Sequence, residues 1–160
     1  MKVQDLLTNE RFADCTLISG ASGIKREIST VTVVDTPDGS QWLSGGELVI
    51  TTAYMLKDNE NALLDFLQLL NNKKISGLCI KTGRYIQEIP KSACQLSDEL
   101  QLPLILIPAK YPFTDIINPV LSELVNQQAA KLMQANIIHA KFTELAISDA
   151  SIPEILTTLT

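Results

Sequence analysis

Five polar residues and a glycine stand where predicted strands give way to loops: Asp35, Thr51, Thr52, Thr82, Gly83 and Arg84. A carboxylate, threonine hydroxyls and a guanidinium could together hold a small polar molecule, the arginine as a forked donor and the aspartate as an acceptor. In open α/β sheets, ligands bind beyond the carboxyl ends of the strands, where these residues fall. The plainer alternative makes Thr82-Gly83-Arg84 an ordinary turn and Thr51-Thr52 a strand end.

Other chemistry fails on residue type or spacing. Cys15, Cys79 and Cys94 are far apart, there is no C-x-x-C, and the single histidine, His139, has no partner at ligand spacing. No metal site is expected, and Cys79 reads as a reduced thiol in a strand core. No Ser/His/Asp or Cys/His set can be assembled, so no catalytic residue and no cofactor is expected. Enzyme is the weakest class. In "QWLSGGELVITT" (41–52), Gly45-Gly46 precedes a strand, whereas a phosphate loop follows a strand and opens a helix. The glycines read as the tight entry to a central strand, with Trp42 and Leu43 packing beside it. Glu47 is expected to pair with backbone or a basic group at the end of the sheet opposite Thr51-Thr52. Asp98-Glu99, adjacent on a helix, reads as solvated.

The elements that must position these residues follow from periodicity. "VQDLLTN" reads as a short helix, and "CTLISG" and "EISTVTVVD" as strands. "TPDG" supplies turn chemistry before "ELVITT", the third strand. Leu63, Phe66, Leu67 and Leu70 recur as one helical stripe, capped by Asp58 or Asn59 and ending near Lys73-Lys74. "ISGLCIK" is a fourth strand. Pro90 opens a helix with Ala93, Leu96 or Ser97, and Leu100 inward. "PLILIP" is a fifth strand, apolar enough to be buried on both faces. The alternation gives an α/β fold: a mostly parallel sheet of about four to five strands with flanking helices, followed by a long C-terminal helix.

That last helix is expected from Pro119, with Asn118 as its cap, to about Ile147. Leu121, Leu124, Leu132, Ala135, Ile138, Phe142 and Leu145 are spaced mostly by three and four, with Gln128 as a polar interruption. The spacing suggests a heptad seam for homodimerisation; two helices folding back on the domain is the alternative. Ser151-x-x-Glu154 reads as a capping box opening a further helix. The expected organisation is therefore a sensor domain over 1–118, a dimerising or linking helix over 119–147, and the start of a following domain over 148–160.

The net charge is −5, and Lys25-Arg26 and Lys73-Lys74 are the only adjacent basic pairs. A nucleic-acid interface needs a clustered basic face, so any DNA contact is expected outside this segment. No apolar run approaches the roughly 18 residues of a membrane span, and "MKVQDLLTNERF" lacks a signal-peptide layout. A cytoplasmic protein without membrane contact is expected.

Several short words occur in a characteristic order: Pro37-Asp38, Trp42-Leu43, Gly45-Gly46-Glu47-Leu48, Thr51-Thr52, Gly83-Arg84, Ile89-Pro90, Leu102-Pro103, and Pro108 followed by Pro112-Phe113. Over roughly residues 4 to 125 the chain resembles the N-terminal domain of the purine catabolism regulator (PucR) family. The resemblance implies a bacterial transcriptional regulator whose N-terminal part senses a small metabolite and helps it dimerise. In such proteins a C-terminal helix-turn-helix contacts DNA, and no such motif matches here. One departure is Thr52-Ala53-Tyr54, where family members often place a glycine after the threonines. The alternative function is a pure dimerisation module with no ligand.

Overall fold

Period-two alternation along the strands decides the layers. In β3 (Glu47–Thr51), Val49 faces one side, together with Leu78 and Ile80 of β4 (Gly77–Lys81) and Leu104 of β5 (Leu104–Ile107). Leu48 and Ile50 face the other side, with Cys79, Ile105 and Ile107. Every one of these residues is buried, so the central strands are covered on both faces. The computed structural model describes residues 1–147, with side chains through Glu144.

Five strands form one sheet in the order β1-β5-β4-β3-β2, with β1 at Thr16–Ser19 and β2 at Thr30–Val33. The four strands β2 to β5 are parallel, and β1 pairs antiparallel with β5 at the edge. The fold is therefore the expected mostly parallel α/β sheet. Each parallel strand lies beside its predecessor, so both crossover helices fall on one face. These are α2 (Glu60–Asn72) and α3 (Lys91–Leu100). Leu63, Phe66, Leu67 and Leu70 of α2 and Ala93 of α3 share one core, with Leu96 and Leu100 packed at its margin. Asn59 is the cap of α2: its side chain accepts from the Ala62 N–H. On the opposite face, Val3 and Leu6 of α1 (Val3–Thr8) pack with Ile116 and Val120 of α4 (Thr114–Ile147).

The start of α4 differs from expectation. The helix begins at Thr114, and Pro119 sits inside it rather than at its first position. Ile116 and Val120, four apart, bury against the sheet, and that packing carries the helix through a residue with no N–H to donate. Two other expectations also fail. Trp42 is 80% exposed while Leu43 is buried, so only the second packs beside β3. Asp98 is not merely solvated, because its carboxylate accepts from the Gly20 N–H at 2.6 Å.

Compactness divides the chain into Met1–Leu124 and Val125–Thr160. Both core clusters belong to the first unit. In the described part of the second, Val125, Leu132, Met133, Ile137 and Ile138 are all exposed. Residues 148–160, expected to open a further domain, lie outside the described residues.

Candidate functional site

The turn after β2 and the turn after β3 are tied together by one carboxylate. Asp35 Oδ1 accepts from Thr51 Oγ1 at 3.0 Å, from the Thr52 N–H at 2.8 Å and from Thr52 Oγ1 at 2.9 Å. The two hydroxyls then accept from the backbone beyond: Thr51 Oγ1 from the Ala53 N–H at 3.0 Å, and Thr52 Oγ1 from the Tyr54 N–H at 3.4 Å. Parallel pairing of β2 with β3 brings Asp35 to this position, because the Val34 N–H still donates to Ile50 O. Asp35, Thr51 and Thr52 therefore do meet. Asp35 Oδ2 bonds no described residue, and it is the part of the knot left for solvent or a ligand.

Ala53 follows the knot in a left-handed conformation, φ 62 and ψ 19, with no exposure. A glycine adopts that geometry freely; an alanine does so under strain. The departure noted at Thr52-Ala53-Tyr54 thus keeps a glycine-like backbone without a glycine.

Thr82, Gly83 and Arg84 form a second loop, after β4. Gly83 takes φ 102, its N–H donates to Ile86 O, and a Cβ there would stand 2.9 Å from that of Ala109. No hydrogen bond or ion pair among the described residues joins Arg84 to the Asp35 knot. Arg84 instead lies 5.0 Å from the ring centre of Tyr85. Tyr85 meets Tyr54 edge-on at 4.8 Å, and Lys57 Nζ stands 4.3 Å from the Tyr54 ring centre. Two cations and two aromatic rings thus link the loops after β3 and β4. Sequence reasoning missed Tyr54, Lys57 and Tyr85; the available signal was a tyrosine a few residues beyond each of two neighbouring strands.

The opposite end of the sheet is a structural joint. Glu47 is buried, and its carboxylate accepts from the Ser44 N–H at 2.6 Å and the Gly45 N–H at 2.7 Å, a backbone pairing as expected. Gly46, at φ 82, leaves space for Ser29, whose hydroxyl would lie 2.8 Å from a Cβ. The Arg26 guanidinium donates to Ile75 O at 2.7 Å, Leu100 O at 3.0 Å and Asn71 Oδ1 at 3.1 Å. Burial lowers its pKa from the ordinary arginine value. It satisfies acceptors at the C-terminal ends of both α2 and α3, where the helix dipoles are negative.

Grooves open on the surface of the described residues. One of about 290 Å³ lies between the Pro37–Ser40 turn and α2, another of about 290 Å³ between Asn59-Glu60 and Pro90, and one of about 330 Å³ beside Arg26 and Lys74. None of the three is lined by Asp35, Thr51, Thr52, Thr82, Gly83 or Arg84. No group of three or more metal-ligating side chains occurs among the described residues. Cys79 is buried, and burial pushes its thiol pKa far up, so it is inert.

Along α4 the expected seam is partly accessible. Leu121, Gln128, Leu132, Ala135 and Ile138 are exposed, Phe142 is half-buried, and Leu124 packs at the margin of the sheet core. The Leu145 side chain lies outside the described ones. Sequence reasoning left out Val125, Met133 and Ile137, which are equally exposed. At roughly 100° per residue, Met133 and Ile137 fall about 140–180° from Leu124, off the expected seam. No helix among the described residues is long and apolar enough to cross a membrane.

Comparison with known proteins agrees with these boundaries. The purine catabolism regulatory protein-like family matches residues 5–124, nearly the whole of the α/β unit Met1–Leu124. The chain is also similar to the purine catabolism regulatory protein of Bacillus subtilis (strain 168), 34% identical over 156 residues, which are 98% of this chain and 29% of that relative. It thus spans less than a third of the relative's length. With the match running from α1 to the last sheet-packed turn of α4, the chain belongs to the purine catabolism regulatory protein-like (PucR) family.

Proposed function

We propose that residues 1–118 form the regulatory domain of a bacterial transcriptional regulator, sensing a small metabolite through the loops beyond β2, β3 and β4. The observation that carries this reading is Asp35 Oδ2, which has no partner among the described residues, beside loops that Tyr54 and Tyr85 join and that carry an exposed Arg84. We read the arrangement as binding rather than catalysis, because Asp35 Oδ1 already accepts three hydrogen bonds that hold the turns together. The relative is named as a regulatory protein, which agrees with a non-enzyme. DNA is contacted by a part of the protein outside this acidic segment, and the setting is the cytoplasm.

A thermal-shift screen of purines, amino acids and organic acids tests the sensing role. A ligand that raises the melting temperature and loses its effect in Arg84→Ala supports it. If nothing binds, and Arg84→Ala leaves regulation by the full-length protein intact, the sensing role is lost.

The second component is homodimerisation through residues 119–147. Exposed Leu132 and Ile138 favour it, because a monomer leaves them in water. A chain with this helix and no ligand would be the pure interaction module.

A further inference from the structure

The groove between the Pro37–Ser40 turn and α2 has mostly apolar walls, among them Pro37, Met55, Phe66 and Leu69. Ser40 also lines it and is only 6% exposed. Its hydroxyl bonds no described residue, yet no fully enclosed side-chain oxygen among the described residues lacks a partner. The hydroxyl is therefore not fully enclosed, and at a residue that lines the groove it needs water or a ligand. Asp65, on α2, stands at the rim, exposed and without an ion pair or hydrogen bond to a described residue.

We infer that this groove binds a small cationic amphiphile, an apolar ring or chain that carries a protonated amine. The apolar walls take the ring, Asp65 pairs with the ammonium, and Ser40 Oγ accepts from one of its N–H groups. A dry apolar cavity of about 150 Å³ holds a benzene. At about 290 Å³ the open groove has room for a ring and a short polar arm. The walls are joined by the knot described above: Pro37 and Ser40 follow β2, Met55 follows β3, and Asp35 ties the two turns together. Asp35 is then a positioning residue for the groove. This inference rests on the sensing role for its biological meaning, and it gives that role a ligand class and a seat beside the Asp35 knot rather than at Arg84.

Phenethylamine, titrated into the 160-residue chain and followed by ¹⁵N NMR, tests it. Shifts are expected at Ser40, Met55, Asp65 and Leu69, with 3-phenylpropanoate binding more weakly. Asp65→Asn, at an exposed position, should weaken phenethylamine about fivefold and remove the preference for the amine. Leu69→Trp should fill the groove from its rim and abolish binding with the fold intact by circular dichroism. The inference is overturned by absence of groove shifts at millimolar amine, by equal affinity for the carboxylate, or by unchanged binding in Asp65→Asn. If the amine binds but no metabolite alters regulation by the full-length protein, the sensing role fails and the groove stands. A metabolite that regulates the protein while shifting Thr52 and Arg84 and not the groove overturns the inference and leaves sensing in place.

Discussion

Asp35 shows how a residue chosen for ligand chemistry can be spent on the fold. Its Oδ1 receives three donors, one of them the hydroxyl of fully buried Thr51. Removing the acceptor leaves that hydroxyl short of a partner, and hydrogen bonds to a charged group contribute about 1.5–3 kcal/mol each, though not additively. Asp35→Ala is expected to destabilise the chain by about 3 kcal/mol, and Asp35→Asn, which keeps an acceptor oxygen, by about 1 kcal/mol, both read from urea midpoints. Ala53 allows a finer test. Relief of left-handed strain, about 1–2 kcal/mol, opposes the loss of a buried methyl, about 0.8 kcal/mol, and the backbone entropy of glycine, about 0.5–1 kcal/mol. Ala53→Gly should therefore change stability by less than about 1 kcal/mol. Ala53→Val, with a branched Cβ at positive φ inside the core, should cost more than about 2 kcal/mol.

Among the elements, the two crossover helices are fastened at one end by a single side chain. Arg26 reaches a carbonyl just after α2, a side-chain oxygen in its last turn and the final carbonyl of α3. Arg26→Met keeps much of the stem but leaves these acceptors unpaired, an expected loss of about 2–3 kcal/mol in equilibrium unfolding. Arg26→Lys should recover little of it, because a point ammonium cannot span three acceptors held in the geometry of a fork. A full recovery by lysine would show that charge alone, and not the forked geometry, holds the joint.

For the whole molecule, the division at Leu124 separates a unit with its own two-sided core from a helix whose described apolar side chains, half-buried Phe142 apart, are exposed. Residues 1–128 alone should unfold cooperatively, with a midpoint independent of protein concentration. The full chain, if it pairs through α4, should gain stability with concentration, as mass action requires. In sedimentation at micromolar concentration, Leu132→Glu with Ile138→Glu should give a monomer with an unchanged circular dichroism spectrum. A dimer that survives both charges would place its interface elsewhere. Because Met133 and Ile137 lie off the expected seam, Met133→Glu alone separates a two-stranded coil, which would tolerate it, from a broader helix cluster, which would not.

Much of the fold was legible because local rules and global packing agree. The apolar run in "ELVITT", the stripe from Leu63 to Leu70 and the Asn59 cap each carry their own signal, and the order of short motifs marked the family. The start of α4 was not legible, because Asn118-Pro119 is a good helix opening and only the packing of Ile116 and Val120 overrides it. Trp42 looked like core, yet its exposure depends on which way a turn faces. The same limit governed the candidate site. The sequence by itself determined the α/β architecture, the covered sheet and the polar strand ends, since periodicity and turn chemistry are written residue by residue. Only the tertiary structure decided that Asp35 is engaged by Thr51 and Thr52, that Arg84 stacks on Tyr85, and that Ser40 and Asp65 face one groove. Apart from the chain neighbours Arg84 and Tyr85, those pairings join residues 16 to 25 positions apart, and it is strand register and helix packing that bring them together.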